Sequence, residues 1–335
     1  MDKDARIFVA GHRGLVGSAI VRRLRAGGYT NLILRTHAEL DLTDDRTTRA
    51  FFETERPEHV FLAAARVGGI VANNTYPAEF IRDNLAIQTN TIHAAHLAGV
   101  QRLLFLGSSC IYPKLAPQPI CEDALLSGPL EPTNRPYALA KIAGVELCWS
   151  YNRQYGSRFL AAMPTNLYGP GDNYHPVNGH VIPALLRRFH EAAHRGESAV
   201  TVWGTGMPRR EFLYVDDMAD ACVFLMNLPI KTFDALLGND SSVTGRFEPP
   251  VVNVGTGQDI PIAQLALLVQ RTVGHVGEIV FDNRQPDGTP RKLLNVGRLA
   301  RAGWTARTPL ADGLKMTYAD FSERCGCAPE IRAGA

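Results

Sequence analysis

The sequence has no apolar run approaching the ~20 residues that a membrane span needs. Nor does an apolar stretch follow a basic start. Met1-Asp2-Lys3-Asp4-Ala5-Arg6 leads straight into a strand pattern, so no secretion signal is expected. A strong charge of one sign is also missing. The net charge is +2, and arginines cluster only locally, as at Arg187-Arg188 and Arg209-Arg210. Nucleic acid and membrane are therefore not expected as partners. Disulfide-like cysteine spacing is absent as well. The 6 cysteines are scattered, which fits a reducing cytoplasm. Cys325-Gly326-Cys327 lacks further ligands for zinc and reads as two free thiols, so no metal is expected. Asn73-Asn74-Thr75 and Asn239-Asp240-Ser241 match a glycosylation pattern, but without a secretion signal they read as chance. There is no internal repeat and no low-complexity segment.

What is present is ordinary globular material: 335 residues, 45% hydrophobic and 20% charged, enough for one large domain or two smaller ones. Arg6 to Ala10 is a short continuous apolar run, as expected of a strand buried on both faces. Gly11-His12-Arg13-Gly14-Leu15-Val16-Gly17 follows at once. A helical pattern from Ser18 to Arg25 then stops at Gly27-Gly28. Strand, glycine-rich turn and helix form a dinucleotide-binding unit. The glycines let backbone amides approach a pyrophosphate, and the helix N-terminus adds partial positive charge. A second strand, Asn31 to His37, should end near the adenosine ribose. Arg35 and His37 stand there, with Arg13 in reach, and these cations favour the 2′-phosphate of NADP(H) over NAD. Imidazole is a weaker phosphate ligand than guanidinium.

Residues 44–55 read as a helix, His59 to Ala65 as a third strand, and residues 66–74 as a loop at its carboxyl end. A long helix over 77–98 carries Asn84. Arg102 to Leu106 is a buried-strand pattern that runs through Gly107 to Ser108, Ser109 and Cys110. A helix over 136–154 opens with Tyr137 and Lys141, four residues apart and so on one face. An ammonium beside a phenol favours the phenolate and should lower the tyrosine pKa from its reference of about 10. A serine hydroxyl nearby can hold a carbonyl oxygen. These groups suit a reaction at a carbonyl.

A further strand, Arg158 to Met163, ends in Pro164-Thr165-Asn166-Leu167-Tyr168. Beyond it the alternation loosens. A polar loop carries His175 and His180, a helix spans about 181–195, and an apolar run ends at Trp203. Asp216 begins another helix, and residues 232–249 look like an exposed insertion. Val251 to Gly255 is a strand expected to return to the main sheet. Pro261 begins a helix, Glu278 to Phe281 is a strand, and residues 285–292 make a basic turn. The fold class is α/β: a Rossmann-like doubly wound parallel sheet with a smaller, interleaved α/β substrate domain. The expected division is 1–171 plus about 212–260 for the cofactor, and about 172–211 plus 261–325 for the substrate. Residues 326–335 are expected to be a loose tail.

The glycine turn, Ser108 and Tyr137-x-x-x-Lys141 resemble the extended short-chain dehydrogenase/reductases, which act largely on nucleotide sugars. Longer stretches narrow the resemblance: Ala10 to Ser18, Val67 to Pro77, Leu106 to Lys114, Met163 to Pro170 and Pro286 to Lys292. They are similar to members that epimerise GDP-4-keto-6-deoxy-D-mannose at C3 and C5 and reduce C4 with NADPH, giving GDP-L-fucose. The resemblance covers nearly the whole chain. It implies a reductase triad of Ser108, Tyr137 and Lys141, an epimerisation pair of Cys110 and His180, and a homodimer. The cofactor would lie along residues 11–17, Arg35, His37, Ala63, Ala65, Leu106, Gly107, Lys141, Pro164 to Leu167 and His180.

The chemistry also stands on elementary grounds. A 4-keto group acidifies the C–H bonds at C3 and C5. Cysteine and histidine, with reference pKa values of about 8.5 and 6.5, can exchange protons near neutral pH. Ser108 and Tyr137 can hold an enolate oxygen as well as a ketone. For the substrate we select Arg188, Trp203, Arg210 and Asp287: arginines suit a diphosphate, tryptophan stacks on a base or sugar, and a carboxylate can accept from guanine. Each residue also has a plainer reading. Cys110 could be a small buried hydrophobe, His180 could cap the helix that follows, and the substrate residues could be surface ion pairs or packing. A redox-neutral epimerase or dehydratase is the competing enzyme class. A 4,6-dehydratase would usually carry an acidic pair where Ser109-Cys110 stands. A nucleotide-sensing relative without catalysis would tend to lack the tyrosine or lysine, and both are here.

Overall fold

The structure, a computed structural model, describes residues 1–175, 179–238, 249–285 and 287–325. The apolar runs found in the sequence become strands β1 (Ile7–Ala10), β2 (Leu32–Ile33), β3 (His59–Leu62), β4 (Arg102–Leu106) and β5 (Phe159–Pro164). Strands β6 (Asn166–Tyr168), β7 (Ala199–Trp203) and β8 (Arg209–Tyr214) lie outside that sheet. β9 (Val251–Val254) returns to it, as the sequence predicts. The sheet order is β2-β1-β3-β4-β5-β9, and every neighbouring pair is parallel. The chain leaves β1 in one direction to β2 and in the other to β3. The crevice at that reversal is where open α/β sheets bind ligands.

Side chains alternate across the sheet. Ile7 and Val9 pack towards α1 (Leu15–Ala26) and its neighbours, among Leu24, Met218 and Leu225. Phe8 and Ala10 pack on the other face, among Phe52, Ile92 and Val145. On that face run α2 (Asp45–Glu55), α4 (Pro77–Leu97) and α5 (Arg135–Tyr155), with the short α3 (Ile70–Thr75) before α4. A third core joins α6 (Val181–Arg195) to the last helices through Leu186, Phe189, Leu265 and Leu314.

The substrate half hangs on β8. It pairs with β6, with β10 (Asp259–Pro261) and with β12 (Arg291–Lys292), and Lys292 stands in register with Arg210. β7 pairs separately with β11 (Glu278–Asp282). Glu211 of β8 is fully buried and accepts the backbone N–H groups of Thr256 (2.6 Å), Gly257 (2.8 Å) and Leu294 (2.9 Å). It ties the second sheet to the loop after β9.

Three expectations change. The second strand keeps only Leu32–Ile33, because the Glu39 carboxylate accepts both the N–H and the hydroxyl of Thr36 and turns the chain. Part of the expected loop over 66–74 is helical, as α3. The start of the 232–249 segment is core rather than exposed insertion. Phe233, Leu236 and Leu237 are buried, the Arg102 guanidinium lies 4.4 Å over the Phe233 ring, and Asp234 pairs with Arg158. Residues 239–248, including Asn239, lie outside the described residues, as do Pro286, Cys327 and the tail over 326–335.

Candidate active site

The nucleotide end of the site is shaped by close backbone contact. A Cβ on Gly17 would lie 2.1 Å from the Gly11 carbonyl oxygen, so the first turn of α1 can press against the turn that precedes it only as glycine. Gly14 is the N-cap of α1 and has no side chain to satisfy the helix's first N–H groups. Those donors, and the buried Nδ1 of His12 that lacks a partner, are what a pyrophosphate would use. Arg13 is exposed. Arg35 is engaged: it donates to Glu55 at 2.5 Å and to the Leu34 carbonyl, with Phe51 under its guanidinium. His37 is exposed and stands 3.7 Å from Asp41. Glu39 sits near both arginines; the Thr36 hydrogen bonds chiefly, and Arg35 and Arg13 in addition, hold its carboxyl below the usual range. These groups fit an NADP adenosine end.

The following loops close the crevice. Ala63 continues the β1 pairing through Ala10. Asn84 pins the segment after Ala65 by accepting the Arg66 N–H and donating to the Arg66 carbonyl. On the far side, Pro164 ends β5 and Asn166 and Leu167 belong to β6. Thr165 and Asn166 both donate to the Glu211 carbonyl.

Catalytic candidates gather at the end of β4. Beyond Leu106 and Gly107, Ser108 caps a short 3₁₀ turn over Ser109–Ile111 and accepts the Cys110 N–H at 3.3 Å. Helix α5 reaches this point because it packs tightly on β4. At Gly144 a Cβ would meet the Phe105 ring at 2.4 Å. Lys141, one turn earlier, is buried over Phe105 and donates to the Leu106 carbonyl at 2.8 Å. Tyr137 lies edge-on to Phe80 and is hydrogen-bonded to Ser108.

The electrostatics differ from the simple expectation. Burial pushes the Tyr137 phenol well above its ordinary range, and negative charge on Cys110 adds to this; only the Ser108 hydrogen bond opposes it. Burial also pushes Lys141 down, to about 7. Its ammonium is 5.9 Å from the tyrosine ring centre and turned to the Leu106 carbonyl. The lysine does not lower the tyrosine: burial dominates both groups, and the ammonium is committed to the Leu106 carbonyl. Tyr137 is a neutral donor here.

Cys110 has two partners that the sequence did not single out. Asn134 Nδ2 donates to its sulfur at 3.2 Å, and Lys292 Nζ approaches at 3.9 Å. Lys292 was visible only as part of a basic turn. His180 is the N-cap of α6. Its side chain makes no cap hydrogen bond, and desolvation by the surrounding protein lowers its pKa. Among the described residues no hydrogen bond links it to Ser108, Cys110 or Tyr137.

The substrate candidates fall into two contacts along one rim. The Arg188 guanidinium lies 4.7 Å over the half-exposed Trp203 ring. Arg210 is near Asp287, and burial lowers its pKa more than that carboxylate raises it. Asp287 accepts from the Thr205 N–H (2.7 Å) and hydroxyl (2.8 Å), so it also fixes the turn after Trp203.

Residues 7–233 match the family described as "NAD dependent epimerase/dehydratase family". The chain is 58% identical to "Putative GDP-L-fucose synthase 2" of Arabidopsis thaliana, covering 96% of this chain and 93% of that protein. It is 57% identical to "GDP-L-fucose synthase" of Escherichia coli, covering 95% and 97%. A solved GDP-L-fucose synthetase from Naegleria fowleri bound to NADP superposes with a TM-score of 0.84 at 26% identity, covering 98% and 97%. The chain belongs to the NAD dependent epimerase/dehydratase family, on its GDP-L-fucose synthase branch.

Proposed function

We infer that this chain converts GDP-4-keto-6-deoxy-D-mannose to GDP-L-fucose by epimerisation at C3 and C5 followed by reduction at C4. Bound NADPH supplies the hydride. Ser108 and Tyr137 hold the 4-keto oxygen, which stabilises an enolate during epimerisation and the developing alkoxide during reduction. Cys110 and His180 carry protons to and from carbon. Tyr137 then gives its proton to O4, and Lys141 orients the nicotinamide end of the cofactor from the Leu106 side. Arg188, Trp203, Arg210 and Asp287 receive the GDP-sugar. Cofactor would occupy 1–171 plus about 212–260, and substrate about 172–211 plus 261–325. A cytoplasmic setting and a homodimer belong to the same proposal.

The observation that carries it is the sharing of one small space. The hydroxyls suited to a carbonyl, Ser108 and Tyr137, sit against Cys110, a thiol that can act at the neighbouring carbon. A reductase alone has no use for that thiol. Incubation with GDP-4-keto-6-deoxy-D-mannose and NADPH in deuterated water tests it. Cofactor absorbance should fall, and the product should carry deuterium at C3 and C5. No cofactor oxidation, or a product unlabelled at both carbons, would sink the bifunctional reading.

A further inference from the structure

We propose that Lys292 is a positioning residue that holds Cys110 in its reactive thiolate form, with Asn134 as the second support. The inference rests on the acid–base role assigned to Cys110 above. Lys292 belongs to β12, on the substrate side, and stands beside Arg210 in register. Its side chain leaves the basic strand and brings Nζ to 3.9 Å from the Cys110 sulfur, across 182 residues of sequence. Among the described residues its ammonium has no carboxylate partner. Asn134, at the N-cap of α5, donates to the same sulfur at 3.2 Å, and its own Oδ1 is buried without a partner. The Asn134 side chain is thus held with its N–H₂ group toward the sulfur.

Tyr137 and Ser108, which itself takes the Cys110 N–H, also lie beside it as neutral groups. No carboxylate hydrogen-bonds the sulfur among the described residues. An ammonium and an amide donor at one sulfur, with no competing anion, stabilise the charge left when the thiol loses its proton. In the reaction, the thiolate takes the proton from a carbon next to the ketone. The S–H bond forms as the C–H bond breaks, and the electron pair moves to the oxygen held by Ser108 and Tyr137.

Alkylation of the ligand-free enzyme by iodoacetamide, read per cysteine by peptide mass spectrometry across pH, tests this without turnover. Lys292→Met should slow Cys110 labelling at pH 7 about five- to ten-fold and move its profile to higher pH. Cys325, exposed at the other end of the chain, should label at its wild-type rate. Lys292→Arg should keep most of the wild-type rate, and Asn134→Ala should lose about two- to three-fold. An unchanged Cys110 profile in Lys292→Met, with the protein folded by circular dichroism, overturns the proposal. The role of Cys110 itself is read separately. If Cys110→Ala exchanges the C3 and C5 hydrogens with solvent at the wild-type rate, that role fails, while the labelling result still reports whether Lys292 acts on the thiol.

Discussion

The two walls of the cleft are built by different physics. On the sheet side, Tyr137 and Lys141 sit one turn apart on α5, and burial sets their protonation: the phenol is driven up and the ammonium down, to about 7. On the substrate side, Arg188, Trp203, Arg210 and Asp287 come from separate elements, remain partly open, and are fixed by pairwise contacts such as the 4.7 Å stacking of Arg188 on Trp203. The first wall is preorganised in low dielectric, where a fixed donor acts most strongly. The second is adaptable and suits binding more than chemistry.

The largest test of that contrast is Tyr137→Phe. It removes the buried donor and leaves the ring packed against Phe80. NADPH oxidation in the presence of the keto sugar should fall about 10²- to 10⁴-fold, with little change in the sugar's affinity. A loss carried mainly by KM would mean that the sheet side, too, works by binding.

Stability gives the next test. Lys141 has a folded pKa of about 7 against an ordinary 10.5. A lysine lowered on folding costs stability wherever the unfolded chain is protonated. The cost is fully present below pH 7, shrinks between 7 and 10.5, and vanishes above. Lys141→Met should therefore abolish turnover yet raise unfolding free energy at pH 7, on the order of 2–4 kcal/mol after allowing for the lost bond to Leu106. Denaturant titrations at pH 7 and pH 11 measure the difference. Equal gains at both would show that packing, not charge, is responsible.

On the substrate wall, Trp203→Ala should raise KM for the GDP-sugar about ten-fold and change kcat by less than about two-fold. Initial-rate kinetics decide it, and a dominant kcat effect would erase the distinction between the walls.

Legibility in the sequence follows the same division. The glycine turn, the end of β4 and the Tyr137–Lys141 pair could be read because each is local: a turn that only glycine allows, a strand buried on both faces, an i,i+4 spacing. The direction of the tyrosine's shift could not, since desolvation depends on what packs around α5, here Phe80, Phe105 and the tight approach at Gly144. Lys292 and Asn134 escaped for a related reason. Their meeting at Cys110 is set by the register of β12 on β8 and by the cap of α5, not by any spacing. Phe233 reads as insertion in the sequence because its partner, Arg102, lies on a distant strand.

The smallest expected effect lies at the edge of the nucleotide site, where the two modes of construction meet. Arg35 is committed to Glu55 and stacked by Phe51, as on the rigid wall, whereas the His37 side chain is 82% exposed and has a 3.7 Å contact to Asp41. A 2′-phosphate placed there would meet one fixed cation and one weak one. His37→Arg adds a permanently charged, forked donor, so it should raise the NADPH-to-NADH ratio of kcat/KM by about three- to ten-fold through KM for NADPH. The Asp41 carboxylate competes for the new guanidinium and keeps the gain modest. Paired kinetics with both cofactors measure the ratio. If it stays constant, Arg35 and Arg13 already saturate the phosphate, and the exposed histidine is solvent-facing surface rather than part of the site.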